Sequence, residues 1–179
     1  MKSLRKMSIG EIAAYIAEHL RHNGINVVLT GGSCVSIYTN NRYQSYDLDF
    51  IEVGSSGRKK ISGILMKLGF QEKDRYFIHP NTPFFVEFPV GPLAIGDEPV
   101  SEVAKLEFAT GSLSLLSPTD CVKDRLAHYY HWKDRQCLDQ AIMVAAVSEV
   151  DLEEVYRWSR HEGMEEEFNR IRTMLQARS

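Results

Sequence analysis

The sequence predicts an α+β fold: a mixed β-sheet core with flanking helices over residues 1–116, then a helical C-terminal subdomain over residues 117–179. Three observations predict it. Short runs rich in β-branched and aromatic residues, bounded by Gly, Pro and Asn, recur between Val27 and Leu116. Apolar residues at three-to-four-residue spacing open the chain and fill it again beyond Ser117. Between the runs stand turn signals, among them Gly31-Gly32, Gly54-Ser55-Ser56-Gly57 and Thr110-Gly111-Ser112.

The elements follow in order. Ser8 and Glu11 have capping-box spacing, Ile9, Ile12, Ala13, Ile16 and Leu20 form one helical face, and Asn23-Gly24 ends the helix. Val27 to Thr30 reads as a strand. Gly31-Gly32-Ser33 then opens a short segment, Cys34 to Tyr38, of one or two helical turns. A polar stretch leads to a second strand, Asp47 to Ile51, with Leu48 and Phe50 on one face and Asp47, Asp49 and Ile51 on the other. Arg58 to Lys67 reads as a helix with Ile61, Ile64, Leu65 and Leu68 inward and Gly69 as its cap. Phe70 to Ile78 is a strand pair or a bulged strand, His79 to Pro83 a turn, and Phe84 to Phe88 a strand carrying Glu87. Pro89 to Pro99 reads as a loop placed to serve as a lid. Val103 to Ala109 and Leu113 to Leu116 form a hairpin. Ser117-Pro118-Thr119-Asp120 starts a helix with an apolar stripe of Val122, Leu126 and Tyr129. Helices over Leu138 to Val147, Leu152 to His161 and Met164 to Ala177 complete the chain, packed through Val155, Trp158, Phe168, Ile171 and Leu175.

Bulk properties exclude some functions. At 179 residues the chain fits one domain, or a domain with a helical appendage. A hydrophobic fraction of 44% and a charged fraction of 25% exclude a disordered chain. A net charge of −3 argues against non-specific coating of nucleic acid and leaves room for a local basic site, for which Arg125, His128, His131, Lys133 and Arg135 are candidates. The three cysteines, Cys34, Cys121 and Cys137, have no metal-ligand spacing and read as reduced thiols of a cytoplasmic protein. His128 and His131 lack a third ligand for zinc. Lys2, Arg5 and Lys6 precede Ser8-Ile9-Gly10-Glu11 rather than an apolar run, so no signal peptide is expected, and no apolar run reaches membrane-spanning length.

The chemistry concentrates between Asn26 and Glu52. Residues two apart on a strand share a face, so Asp47 and Asp49 stand side by side, where their charges repel unless a cation joins them or one keeps its proton. Paired carboxylates suit Mg²⁺, which binds them together with waters and substrate phosphates. Glycines at a helix start admit an anion close to the backbone. A phosphate cradle beside an acidic pair is the layout for phosphoryl or nucleotidyl transfer. The plainer readings are an ordinary turn at Gly31-Gly32, an N-cap at Ser33, and surface aspartates on an edge strand.

Leu29-Thr30-Gly31-Gly32-Ser33, followed after a spacer by Asp47-Leu48-Asp49-Phe50, resembles the signature of the nucleotidyltransferase superfamily that includes DNA polymerase beta. Ser117 to Lys123 and Arg135 to Asp139 resemble the helical motifs of its AbiEii/MenT-type branch of bacterial toxin–antitoxin and abortive-infection proteins. The resemblance spans roughly Val27 to Ala141 and departs from the branch at Gln136, where an aspartate is expected.

The resemblance implies that Asp47, Asp49 and a third acid, Glu87, are catalytic and hold Mg²⁺ or Mn²⁺. It implies that Gly31, Gly32, Ser33, Lys123 and Asp139 bind the nucleoside triphosphate. Glu87 is otherwise an edge-strand residue facing water, Lys123 a snorkelling side chain, Asp120 a cap, and Asp139 an ion-pair partner of Arg135. The implied reaction moves a nucleoside monophosphate from its triphosphate to a hydroxyl acceptor. RNA, at a tRNA 3′ end, is the first acceptor implied, with a cognate antitoxin as partner. A protein side chain (adenylylation) or a small molecule are the alternatives, and a non-catalytic partner-binding protein on the same fold is the reading from another class.

Overall fold

A computed structural model describes residues 3–176. A short 3-10 turn at Leu4–Lys6 leads into α1 (Ile9–His22). The Ser8 hydroxyl accepts from the Glu11 amide at 3.2 Å, and the Glu11 carboxylate accepts from the Ser8 amide at 2.8 Å. All five residues of the expected apolar face are buried, and α1 lies across the sheet.

The sheet has seven strands, here numbered in chain order and including β1 (Val27–Thr30), β2 (Asp47–Glu52), β3 (Gln71–Lys73), β4 (Tyr76–Ile78) and β5 (Phe85–Glu87). β8 (Val103–Phe108) and β9 (Gly111–Leu116) complete it. Their spatial order is β3-β4-β5-β2-β1-β9-β8. β1 is antiparallel to β2, with Thr30 opposite Asp49, and parallel to β9, with Leu29 beside Leu115. β5 runs parallel to β2 and sets Glu87 beside Asp49. The β-branched and leucine-rich sequence of β1 suits its central place, where three of its four residues are buried. The region from Phe70 to Ile78 is a hairpin, turned by Asp74 at φ 55°.

The stretch expected as an open loop instead contains a two-stranded ribbon, β6 (Ala94–Ile95) and β7 (Glu98–Pro99). The breakers limit its strands to two residues each. A partner far along the chain holds it: the Trp158 indole N–H donates to the Ile95 carbonyl at 3.2 Å.

The helices include α2 (Gly31–Tyr38) and α3 (Arg58–Lys67), and α2 begins three residues before the expected Cys34, so the glycines are its first turn. After β9 come α4 (Pro118–Trp132), α5 (Arg135–Val147), α6 (Leu152–His161) and α7 (Glu165–Gln176). Ala177, where the last helix was expected to end, lies outside the described residues. The buried stripe of α4 runs through Cys121, Val122, Leu126 and Tyr130, one residue beyond the expected Tyr129. α4 packs on α2, α5, α6, β6 and β9 and is the link between the sheet and the following helices. Val155, Trp158, Phe168, Ile171 and Leu175 are all buried, each fully buried large side chain contributing about 1.5–3 kcal/mol. Among the described residues no helix is long and apolar enough to cross a membrane.

Candidate active site

Alternation along β2 places the acids. Leu48 and Phe50 are fully buried on one face, leaving Asp47, Asp49 and Ile51 to the other. The parallel pairing of β2 with β5 adds Glu87 directly beside Asp49. Three carboxylates thus come from two neighbouring strands.

The start of β2 is tied to α2. The Ser45 amide donates to the Ser36 hydroxyl at 2.8 Å, and the Asp47 amide donates to the Ser45 hydroxyl at 3.2 Å. On the next strand the Thr30 hydroxyl donates to the Asp49 carbonyl at 3.2 Å. The acids therefore stand on ordered backbone, as a site requiring fixed geometry needs.

Gly31 is required for two reasons. Its φ is 70°, in the left-handed region, and a Cβ there would stand 2.6 Å from the Asp49 Oδ2. Only glycine allows α2 to start against that carboxylate. Gly32 is under no such demand, since a Cβ would meet the Tyr43 ring at 3.4 Å. Ser33 is fully buried, and its hydroxyl donates to the Thr30 carbonyl at 2.9 Å, bracing the first turn of α2.

The charges in this region are poorly compensated. Burial raises the Asp49 pKa, and the Asp47 and Glu87 carboxylates raise it further, to about 6, although Arg125 pulls the other way. Burial also raises Asp47, with Arg75 opposing. Arg75 Nε lies 3.4 Å from a Glu87 oxygen, and its guanidinium sits 4.8 Å from the centre of the Tyr76 ring. Among the described residues no three His, Cys, Asp or Glu side chains form a group ready to hold a metal. The carboxylates share a face without closing on a common point.

Asp49 opens into a cleft of about 360 Å³. Thr30, Gly31, Asp49 and Ile51 form one side, Leu93 to Ile95 of the ribbon another, and Asp124, Arg125 and His128 of α4 a third. Arg125 is buried and held on several sides. Its Nε and Nη2 donate to Asp124 Oδ2 at 3.0 and 2.5 Å, and its Nη1 donates to Gln140 Oε1 at 3.3 Å. Burial works against its charge, but the Asp124 carboxylate outweighs that and keeps the guanidinium protonated.

The structure brings together Gly31, Asp47, Asp49 and Glu87, with Gly32 and Ser33 in the adjoining turn. Lys123 lies elsewhere. It is buried in a separate hollow, with its amine 2.9 Å from Asp120 Oδ1 and 3.1 Å from Glu154 Oε1. Asp120 is also the third residue of the α4 cap, its amide donating to the Ser117 hydroxyl at 3.1 Å. Asp139 is exposed on α5, and no ion pair joins it to Arg135 among the described residues. Asp134 caps α5 by accepting from the Gln136 amide at 2.9 Å.

Sequence reasoning passed over Asp124 as part of this cleft; it named Arg125 and His128 as candidates for a local basic site and Pro89 to Pro99 as a loop placed to serve as a lid, and the structure sets all three against Asp49. The available signal was the Asp124-Arg125 pair within the apolar stripe of α4, a place where an arginine needs a partner to be buried.

No family model and no curated protein matches the chain. Solved structures do. An antigenic nucleotidyltransferase-like protein from Paracoccidioides brasiliensis superposes with a TM-score of 0.64 at 14% identity, over 99% of this chain and 96% of that one. The antibiotic-resistance factor ANT(2'')-Ia superposes in its solution structure with a TM-score of 0.52 at 14% identity, over 94% of each chain. Its crystal structure in complex with adenylyl-2"-tobramycin gives a TM-score of 0.53 at 14% identity, over 90% of this chain and 96% of that one. At that identity the likeness establishes the fold alone: a mixed sheet with flanking helices of the nucleotidyltransferase-like kind.

Proposed function

We propose that the chain is a metal-dependent nucleotidyltransferase that moves a nucleoside monophosphate from its triphosphate to a hydroxyl of RNA. The observation that carries this reading is the approach of Gly31 to Asp49 at the floor of the cleft, beside Asp47 and Glu87.

The donor types suit a hard divalent cation, which would have to draw the three acids together. Asp47 and Asp49 offer oxygen ligands on one strand face, Glu87 stands next to them, and a cation would relieve the repulsion that adds to burial in raising the Asp49 pKa. Mg²⁺ or Mn²⁺, held by these residues, would neutralise the triphosphate and acidify the acceptor hydroxyl. The amides of the first α2 turn, at Gly31, Gly32 and Ser33, face the β- and γ-phosphates, with the helix N-terminus favouring their charge. Asp49 or Glu87 accepts the proton of the attacking hydroxyl. Buried Arg125 supplies fixed positive charge to the wall of the cleft. The family resemblance alone supports a nucleotide-binding role for Lys123 and Asp139; neither lines the Asp49 cleft. Residues 1–116 carry the acids, and the helices from residue 117 close the cleft.

The AbiEii/MenT-like segments support an RNA acceptor, a tRNA 3′ end, and a cognate antitoxin. Three free, buried cysteines accord with a cytoplasmic setting. A second reading, a small polyhydroxyl acceptor, is favoured by the ANT(2")-Ia structure with adenylyl-2"-tobramycin. One experiment separates them. Each nucleoside triphosphate, labelled at the α-phosphate, is incubated with the protein, Mg²⁺ or Mn²⁺, and either total RNA, protein extract or an aminoglycoside panel. Label in RNA that disappears with Asp49→Ala is the expected result. Label in the aminoglycoside fraction alone replaces RNA with the small acceptor, and label retained in full by Asp49→Ala overturns the metal-site assignment.

A further inference from the structure

We infer that Arg75 is a positioning residue for the third acid: its guanidinium holds Glu87, and a divalent cation gathering Asp47, Asp49 and Glu87 must displace it. The inference rests on the metal-dependent reading and adds to it the group with which the metal competes.

Strand register brings the competitors together. Tyr76 of β4 stands opposite Glu87, Glu87 beside Asp49, and Asp49 opposite Thr30, so one row of residues crosses four strands. Arg75 immediately precedes Tyr76, at the outer end of that row. Its Nε is 3.4 Å from the Glu87 Oε1, and its Nη2 donates to the Tyr76 hydroxyl. Arg75 is not among the residues lining the Asp49 cleft, so it meets the acids from the β4 side of the sheet. It faces Asp47 as well: burial raises that carboxyl, and Arg75 opposes the rise.

The two arginines near the acids are held differently. Arg125 is buried and committed to Asp124 and Gln140. The Arg75 side chain is 68% exposed. Its backbone, by contrast, is pinned to α3. The Arg58 Nη2 donates to the Asp74 and Arg75 carbonyls at 3.4 and 3.1 Å, and the Arg58 Nε donates to Glu72 Oε1 at 2.8 Å. The same guanidinium lies 5.2 Å from the centre of the Phe77 ring. A fixed turn carrying a long, exposed side chain can release Glu87 without disturbing the sheet.

An exposed ion pair is weak and gives way to a stronger competitor. A cation that draws the three acids together brings a double positive charge within a few ångströms of the guanidinium, and the two repel. Arg75 therefore makes metal loading and the release of Glu87 a single step.

The test is Mn²⁺ binding without nucleotide, followed through the electron paramagnetic resonance of the free ion, and it does not depend on turnover. The wild type is expected to bind Mn²⁺, and Asp49→Asn is expected to lose that binding. Arg75→Gln is expected to bind Mn²⁺ about threefold to tenfold more tightly, since one nearby positive charge is gone. Arg75→Lys, which keeps the charge, is expected to stay within about twofold of the wild type, and so is Lys73→Gln, which removes an exposed cation from the same hairpin. Equal or weaker binding by Arg75→Gln, with binding still lost in Asp49→Asn, overturns the role of Arg75 and leaves the metal site standing. An equal gain in Lys73→Gln overturns it too, because the effect is then one of overall charge. No Mn²⁺ binding by the wild type or by Arg75→Gln overturns both this inference and the metal-dependent reading beneath it.

Discussion

The molecule holds two groups of carboxylates on either side of α4, and they behave oppositely. At the Asp49 cleft and beside it, burial raises Asp49 and Asp47, repulsion from Asp47 and Glu87 raises Asp49 further, and the opposing Arg125 and Arg75 do not offset this. In the hollow around Lys123, three acids, Asp120, Glu154 and Glu98, each have a close cation. Arg157 lies 2.6 Å from Glu154 and 2.5 Å from Glu98, and Lys123 is shared by Asp120 and Glu154. Hydrogen bonds from Arg157 and Lys123 lower Glu154 to about 2, and Arg157 lowers Glu98. The compensated group joins α4 and α6 to the ribbon. The uncompensated group is where a cation and a triphosphate have something to gain. Acidity alone does not identify a site; the balance of charge around each acid does.

The comparison can be broken most directly at Asp49. Asp49→Ala is expected to reduce transfer by about a thousandfold or more, the equivalent of several kcal/mol of transition-state stabilisation, while raising thermal stability. Retained transfer, or a large loss of stability, would place Asp49 among structural acids. In the other group, Lys123→Met leaves Asp120 and Glu154 facing each other without their shared cation. It is expected to cost about 3 kcal/mol, read as a fall in the denaturation midpoint, with kcat per folded molecule unchanged. A raised KM for the triphosphate at unchanged stability would instead give Lys123 its nucleotide role. Gly31→Ala is expected to cost about 1–2 kcal/mol from the left-handed backbone alone and to displace the Asp49 carboxylate, lowering transfer about a hundredfold. Gly32→Ala, with room for a Cβ, is expected to stay within about 1 kcal/mol of wild type.

The pH dependence gives the clearest signs. The folded-state pKa of Asp49, about 6, lies above its ordinary 3.8, so the folded protein holds the proton more tightly and stability falls as pH rises from about 4 to 6. In metal-free protein the fall is up to about 3 kcal/mol, and Asp49→Asn is expected to lack it. Glu154 is lowered from 4.5 to about 2, so its contribution is complete above 4.5 and disappears as pH falls through 2. Because that side chain is about a third open to solvent, the amplitude is expected to be under about 1 kcal/mol, seen as a slope missing in Glu154→Gln.

The sheet and its acids were legible because their signals are local. Alternation in Asp47 to Ile51 put both aspartates on one face, and the Gly31-Gly32 pair marked the turn facing them. α1 was legible through its capping box, and α6 matched its expected span from Leu152 to His161. What escaped depends on distant partners. Lys123 reads equally well as a snorkelling or a phosphate-binding side chain until Glu154 is seen opposite it. Arg125 was recognised as basic, but its burial depends on Gln140 as well as the adjacent Asp124. The β6–β7 ribbon has too few residues to show a period, and Trp158, which holds it, lies on a helix 63 residues further on.

The strand order also bears on how the protein is made. β1 sits inside the sheet, yet one of its two neighbours, β9, is translated only after β2 to β8. Until Leu115 reaches Leu29, a nascent chain leaves the apolar edge of β1 open, and α1 lacks its contact with β9, including the Thr110 hydroxyl that donates to the Glu11 carbonyl. Such long-range parallel closure is slow and exposes sticky edges to other chains. The acids of β2 and β5 are synthesised well before the strand and helix that complete their cleft. Assembly of the Asp49 cleft is therefore expected late in synthesis, after α4 has left the ribosome.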